Sequence, residues 1–156
     1  MIDRSHIGFT TEPSTAVIES WRVQLFCQAI GETDPVYWDL NVAQAAGHRA
    51  CPVPPTFLKA MEGEHFSSAA LLKQLAVPLR GVLHAEQSFE HLAPLYVGDA
   101  VEINRTVSDI AEKKQGALTF ITVDTSYKVA GQVVASSCQN ILVRNQVVST
   151  PSEAAT

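Results

Sequence analysis

The sequence predicts an α+β domain in which helices come first and an antiparallel sheet follows. Three observations carry that prediction. Up to Pro78 the apolar residues recur with a period near four. From Val82 onward they alternate with a period of two, and the β-branched content rises. The alternating stretches are joined by short turn signals, Gly98-Asp99, Lys113 to Gly116 and Ala130-Gly131, which suit sequential antiparallel pairing.

Residues 1–13 carry little periodic signal and read as an extended arm, able to pack on a partner or on the chain's own sheet. Thr15 to Glu19 reads as a short strand. Ser20 is placed to cap a helix whose Val23, Phe26, Cys27 and Ile30 share one face, with Trp21 and Leu25 beside it. Gly31 suits the left-handed residue that ends such a helix. A polar turn of Glu32, Thr33 and Asp34 follows. Pro35 keeps Asp34 out of the α region and stiffens the approach to Tyr37. Asn41 is expected to cap a short helix, Val42 to Ala46, that Gly47 stops. A second stiff loop, Cys51 to Thr56, carries three prolines and leads into a helix with an apolar stripe of Phe57, Leu58, Ala60 and Met61, expected to end at Gly63. Ser67 and Ser68 begin a further helical segment with Leu71, Leu72 and Leu75, closed before Pro78.

In the sheet region, Val82 to His91 places Leu83, Ala85, Gln87 and Phe89 on one side and His84, Glu86, Ser88 and Glu90 on the other. Val101, Ile103, Arg105 and Val107 form a second strand. Ala117 to Tyr127 is apolar on both faces and reads as a central strand covered on both sides, and Val133 to Val143 is another of similar length. The sheet should wrap the helix that carries the Thr56 to Met61 stripe. Its exposed edge strand calls for pairing with a second subunit. The chain reads as one domain, residues 1–148, with a small, polar, frayed tail at 149–156.

Eleven Lys and Arg against sixteen Asp and Glu give a net charge of −5, and no basic cluster exceeds Lys113-Lys114, which argues against nucleic-acid binding. Cys27, Cys51 and Cys138 are widely spaced and odd in number, which fits small buried residues in a reducing compartment and not a disulfide framework or zinc site. An apolar signal core and a membrane-length apolar run are both lacking, so a soluble, cytoplasmic protein is expected. Neither a nucleophile elbow nor a glycine-rich phosphate loop occurs, and no metal or cofactor is expected. The rigid polar turn at Glu32 to Tyr37, beside the start of the Phe57 helix, is the best candidate site for a carbonyl or an anion.

Three stretches, FCQAIGETDPVYWD, AAGHRACPVPPTF and VLHAEQSFEHLAPLYVGD, occur in that order. Together they resemble the N-terminal domain of MaoC-like dehydratases, the FAS1-like dehydratase and (R)-hydratase group of the hot-dog superfamily. The resemblance covers nearly the whole chain after the first dozen residues. It implies a hot-dog fold, dimeric or pseudo-dimeric, that binds acyl groups carried as coenzyme A or acyl carrier protein thioesters in fatty acid metabolism. Active members hydrate trans-2-enoyl thioesters or dehydrate (R)-3-hydroxyacyl thioesters without a metal or redox cofactor. Their signature reads Gly-Asp-x-Asn-Pro-aliphatic-His. Laid on it, Gly31 and Pro35 match, Glu32 stands at the catalytic Asp, Asp34 at the Asn, and Tyr37 at the catalytic His.

Both acid/base positions therefore depart from the signature. Imidazole titrates near neutrality and phenol near 10, so Tyr37 is the poorer proton carrier. The extra methylene of Glu32 displaces its carboxylate by roughly 1 Å, a shift that can cost about a hundredfold. Within the resemblance, Thr56 and Phe57 offer the first free amides after Pro54 and Pro55, placed to stabilise a thioester oxyanion. Arg49 is a candidate for a carrier phosphate. His84, on one strand face with Glu86, is a candidate base or a contact for the thioester arm. Three readings follow. The first is a non-catalytic, substrate-shaping subunit, in a homodimer or beside a catalytic MaoC-like subunit. The second is a stand-alone hydratase using Glu32, Tyr37 and His84. The third is a hot-dog thioesterase in which Glu32 or Glu62 activates water.

Overall fold

The computed structural model describes residues 2–145. The frayed tail expected at 149–156 lies outside the described residues. The elements run β1 (Ser14–Val17), α1 (Ser20–Ile30), α2 (Leu40–Ala45), α3 (Phe57–His65), α4 (Ser68–Gln74), β2 (Val82–His91), β3 (Ala100–Lys113), β4 (Leu118–Val129) and β5 (Gln132–Arg144), with single 3₁₀ turns at Arg4–His6 and Pro35–Tyr37. The five strands form one antiparallel sheet in the order β1-β3-β4-β5-β2. The α+β class is as expected, but sequential pairing holds only for β3, β4 and β5: β2 crosses to the far edge and pairs with β5 instead of β3, so Gly98-Asp99 ends a crossover and not a hairpin, and β1 precedes the helices and pairs with β3.

Helix α3 lies on the inner face of this sheet, with Phe57, Leu58, Met61 and Glu62 all buried. Phe57 meets Phe26 of α1 edge to face at 5.5 Å between ring centroids. Burial of each of these apolar side chains contributes on the order of 1.5–3 kcal/mol. Two apolar clusters fill the inner face. One joins α1 and α3 to Val101, Ile103 and Tyr127, and the other joins α4 to Val107, Ile110, Ile121 and Ile141.

Several local expectations change. The arm packs on its own sheet: Thr10 bridges Thr106, and the Gly8 and Thr11 N–H groups donate to the Val107 and Arg105 carbonyls at 2.8 and 2.9 Å. Glu19 takes the cap position of α1 without a side-chain bond, so Ser20 is its first residue and not its cap. Asp39, not Asn41, caps α2, because its carboxylate accepts from both Asn41 and Val42 N–H. Helix α3 runs through Gly63 to His65; a glycine near a helix end does not stop it when the flanking residues keep their bonds. Strand β4 is central in order but covered on one face only, with Ile121, Val123, Thr125 and Tyr127 inward.

The division of β2 into two faces also fails, for a clear reason. A bulge at Ala85 breaks the register between His84, opposite Ile141, and Glu86, opposite Asn140. His84 and Glu86 therefore point to opposite faces of the sheet. On α1 only Val23 and Cys27 are buried, while Trp21, Leu25 and Ile30 remain 60%, 58% and 51% exposed. Trp21 and Leu25, one turn apart, thus form an exposed apolar strip, while Ile30 lies on the other side of the helix at its C-terminal end.

Candidate functional site

The polar turn after α1 forms as its residues dictate. Gly31 adopts φ +72°, and the Glu32 N–H donates back to the Cys27 carbonyl at 2.8 Å, which ends the helix. Glu32 Oε1 then accepts from the Thr33 and Asp34 N–H groups at 2.8 and 2.9 Å. Asp34 Oδ1 accepts from Val36 N–H at 3.0 Å and caps the 3₁₀ turn that Pro35 begins. Both carboxylates are thus committed to shaping the loop. Tyr37 packs against the first apolar cluster. Burial, and then the charges of Glu32, Asp34 and Cys27, raise its phenol above the ordinary value near 10. Cys27 is raised by burial and by Glu32. The Glu32 and Asp34 carboxylates thus lie close enough to bear on the Tyr37 phenol, and Glu32 on the Cys27 thiol, and the phenol and the thiol are each kept neutral.

The other expected site residues fare differently. The Phe57 N–H donates to the Pro54 carbonyl at 3.0 Å, so it is not free, and the expectation of an amide donor rests on Thr56 alone. The Phe57 side chain is a core residue. Arg49 pairs with the buried carboxylate of Asp99 and stacks 4.3 Å from the Tyr96 ring centroid. Asp99 also accepts from Tyr96 N–H at 3.0 Å, and Tyr96 OH lies 3.3 Å from His48 Nδ1. Arg49 is therefore a fastening of the loop that also carries a half-exposed cation. His84 sits opposite Ile141, a member of the second apolar cluster, whereas Tyr37 packs on the first. The structure does not bring His84 together with Glu32 and Tyr37.

Glu62 is 2% exposed. Its Oε1 accepts from Lys59 Nζ at 2.8 Å, and its Oε2 from Tyr127 OH at 3.0 Å and Thr125 Oγ1 at 3.3 Å. Arg105, 1% exposed, has its Nε 3.3 Å from Glu62 Oε1. A carboxylate so enclosed cannot activate water, which removes Glu62 from the thioesterase reading. The cluster of Lys59, Glu62, Arg105 and Tyr127 was not foreseen. Its signal was present in the spacing: Arg105 falls in phase with Val101, Ile103 and Val107, and Glu62 lies one turn beyond Leu58.

Five of the better-formed clefts on the described surface of the single chain are lined by residues other than Glu32, Asp34, Tyr37, Thr56, Arg49 and His84. One of them, of about 310 Å³, is walled by the open face of α1, with Trp21, Leu25, Phe26 and Ala29 facing Phe57 and Ala60 of α3. Among the described residues no three His, Cys, Asp or Glu side chains come together as a metal site, and no helix is long and apolar enough to cross a membrane.

A five-stranded antiparallel sheet holding α3 against its inner face defines a hot-dog domain. The family model described as FAS1-like, dehydratase domain region matches residues 5–137, and the chain belongs to that family. The UPF0336 protein SCO4636 of Streptomyces coelicolor is 30% identical over 145 residues, which span 92% of this chain and 95% of that one. Among solved structures, the C-terminally truncated HadBC (3R-hydroxyacyl-ACP dehydratase) complex of Mycobacterium tuberculosis superposes with a TM-score of 0.76 at 15% identity, covering 88% of this chain and 96% of that one. The ChsH1–ChsH2 complex from the same organism gives 0.73 at 21% identity, with 90% and 92% covered. These likenesses in structure establish the fold.

Proposed function

We propose that this chain is an acyl-thioester-binding module of an enoyl-thioester hydratase or (R)-3-hydroxyacyl dehydratase. In this role it shapes the substrate site and leaves proton transfer to a partner subunit with an intact MaoC-like signature. The observation that carries the reading is the state of Glu32 and Tyr37. One oxygen of Glu32 is held by two amides of its own turn, and the phenol standing where an imidazole would act is pushed further from neutrality by burial. The phenol is therefore not poised to exchange a proton at neutral pH, and the Glu32 carboxylate is engaged in holding its own turn.

Two further features favour a partnered site. Glu32, Tyr37 and the other candidate residues line none of five clefts on the described surface, which favours a thioester pocket completed by a second wall. Trp21 and Leu25, one turn apart on α1, also leave an apolar strip that an interface would cover. A partner of like fold is the simplest occupant, as in the HadBC complex, whose name marks it as a 3R-hydroxyacyl-ACP dehydratase.

The test is hydration of crotonyl-CoA. The purified chain alone should give no turnover, and turnover should appear on mixing with a hot-dog subunit that carries Gly-Asp-x-Asn-Pro-x-His, with the two chains co-eluting. In that pair, Glu32→Gln should leave kcat within about twofold, since the amide oxygen still accepts from the turn. Turnover by the lone chain that vanishes in Glu32→Gln would refute the proposal. Release of free thiol from an acyl-CoA by the lone chain would point to a thioesterase instead.

A further inference from the structure

We propose that the open edge of β2 pairs with a strand of a different chain that carries cationic side chains on its outer face, and that Glu86 and Glu90 select against a second copy of this chain. The inference rests on the partnered reading above and adds which edge is used and what the partner presents there.

Strand β2 ends the sheet, and among the described residues it pairs only with β5, so the main-chain groups along its far side have no strand beside them. This edge is ten residues long, against four for β1 at the other end. A row of unpaired main-chain donors and acceptors of that length is a template for a further strand. The bulge at Ala85 interrupts it, which leaves residues 86–91 as the regular segment on which pairing can run.

Within that segment Glu86, Ser88 and Glu90 lie opposite Asn140, Cys138 and Ser136. Those residues of β5 alternate with the buried Gln139 and Ser137, so the three β2 side chains stand on the outer face of the sheet, away from α3. Glu86 accepts from Asn140 Nδ2 at 2.9 Å and Glu90 from Ser136 Oγ at 3.5 Å, and among the described residues no cation is paired with either. Asp124, opposite Cys138 on β4, adds a third carboxylate to the same face. Their field is felt at Cys138: after burial, Asp124 and then Glu86 push its thiol up to about 11.

Symmetry turns this row against self-pairing. When two identical strands pair antiparallel about a two-fold axis normal to the sheet, every residue keeps its face, and the register is set by which residue meets its own copy. Centred on Ser88, the pairing sets Glu86 directly against Glu90 of the second copy, on both sides of the axis. Centred on Glu86 or Glu90, a glutamate meets itself. Centred on Gln87 or Phe89, one glutamate of each copy meets Ser88 and stands diagonally to two glutamates at roughly 7–8 Å. Every register centred on residues 86–90 therefore brings like charges together, which destabilises a cross-strand pair. A strand with Lys or Arg at the facing positions turns each of these contacts into an attraction. Main-chain bonds hold the incoming strand, and the carboxylates choose it.

The test is sedimentation equilibrium of the full chain, alone and mixed one to one with its Glu86→Lys/Glu90→Lys variant, which offers the same edge with its outer charges reversed. In about 0.1 M salt the mixed pair should have a dissociation constant at least about tenfold below that of either chain with itself. In about 1 M salt, where the Debye length falls from about 10 Å to about 3 Å, the gap should close to within about threefold. Glu86→Gln/Glu90→Gln keeps both hydrogen-bond acceptors and controls for any effect of lysine on folding. It should self-associate more tightly than the parent and less tightly than the mixed pair. The readout is mass and not turnover, so the charge selection can fail while the partnered function stands, and turnover by the lone chain is scored separately. Parent self-association as tight as the mixed pair, a mixed pair no tighter than the glutamine variant with itself, a gap that survives high salt, or no association of any pair overturns the proposal.

Discussion

Replacing Glu62 by glutamine removes the only negative charge from a buried group that holds Lys59, Arg105, Tyr127 and Thr125. Glutamine keeps one acceptor oxygen, but it sets an NH₂ group against donors and leaves the guanidinium of Arg105 as an uncompensated charge at 1% exposure. Breaking a buried ion pair from one side costs about 3–5 kcal/mol. Against a total stability of about 5–15 kcal/mol for a domain of this kind, that is a large share. At about 2–4 °C per kcal/mol, the melting temperature should fall by roughly 6–20 °C. Urea denaturation should show the loss as a lower midpoint with an unchanged slope, because the same surface is exposed on unfolding. The informative control is Glu62→Leu combined with Arg105→Met, which removes both charges and fills the space with apolar groups. Lys59 keeps Gln139 and partial contact with water, and Tyr127 keeps Ser137, so the double variant should recover to within about 2 kcal/mol of the parent. A single-variant loss below about 1 kcal/mol, or a double variant as unstable as the single, would refute the view that Glu62 is there to neutralise Arg105.

Alkaline pH should destabilise the fold through Tyr127. Burial, and then Glu62, raise its phenol above the ordinary value near 10, so the native state keeps that proton to higher pH than the unfolded chain does. The unfolded state therefore binds fewer protons in this window, and stability is intact below about pH 10 and falls as pH rises beyond it. Urea midpoints from about pH 8 to about pH 11 should decline less steeply in Tyr127→Phe, with a residual slope from Tyr37, whose phenol is also raised; an unchanged slope would contradict this. At α2, Asp39→Ala should cost about 1 kcal/mol and Asn41→Ala only a few tenths, because the Asp39 carboxylate accepts both first-turn N–H groups; equal losses in thermal denaturation would contradict that assignment.

The order of elements could be read from the chain because it rests on periodicity and punctuation, both local properties. Gly31 and Pro35 took the conformations that their residue types favour, and the Ala130-Gly131 turn formed although Ala130 as well as Gly131 has positive φ, which the two-residue hairpin imposes against the preference of an alanine. Where the reading failed, a nonlocal contact decided. The bulge at Ala85 depends on how β2 meets β5, and no feature of β2 alone distinguishes a bulged strand from a regular one. The passage of α3 through Gly63 depends on burial of Met61 and Glu62 beneath the helix, which outweighs a glycine penalty of about 1 kcal/mol. The cap of α2 turned on a near tie, since Asp39 and Asn41 are both good cap residues and two positions apart.

The site was legible to a different depth. The turn from Glu32 to Tyr37 follows from a glycine, a proline and two carboxylates one residue apart, so its backbone shape is a local property. Arg49 and His84 are exposed positions whose partners come from elsewhere in the fold, Asp99 for the one and Ile141 across β2 and β5 for the other. Glu62 and Arg105 pose the opposite problem. Their phase placed them inward, while their charge suggested surface, and single charged residues are almost never fully buried. The conflict resolves only when both are seen at once, 43 positions apart in the chain, because each is what makes the other's burial tolerable. A charged residue in phase with an apolar face is thus evidence of a partner. The second cation, Lys59, is tolerated for a different reason, since it keeps partial contact with water and a bond to Gln139.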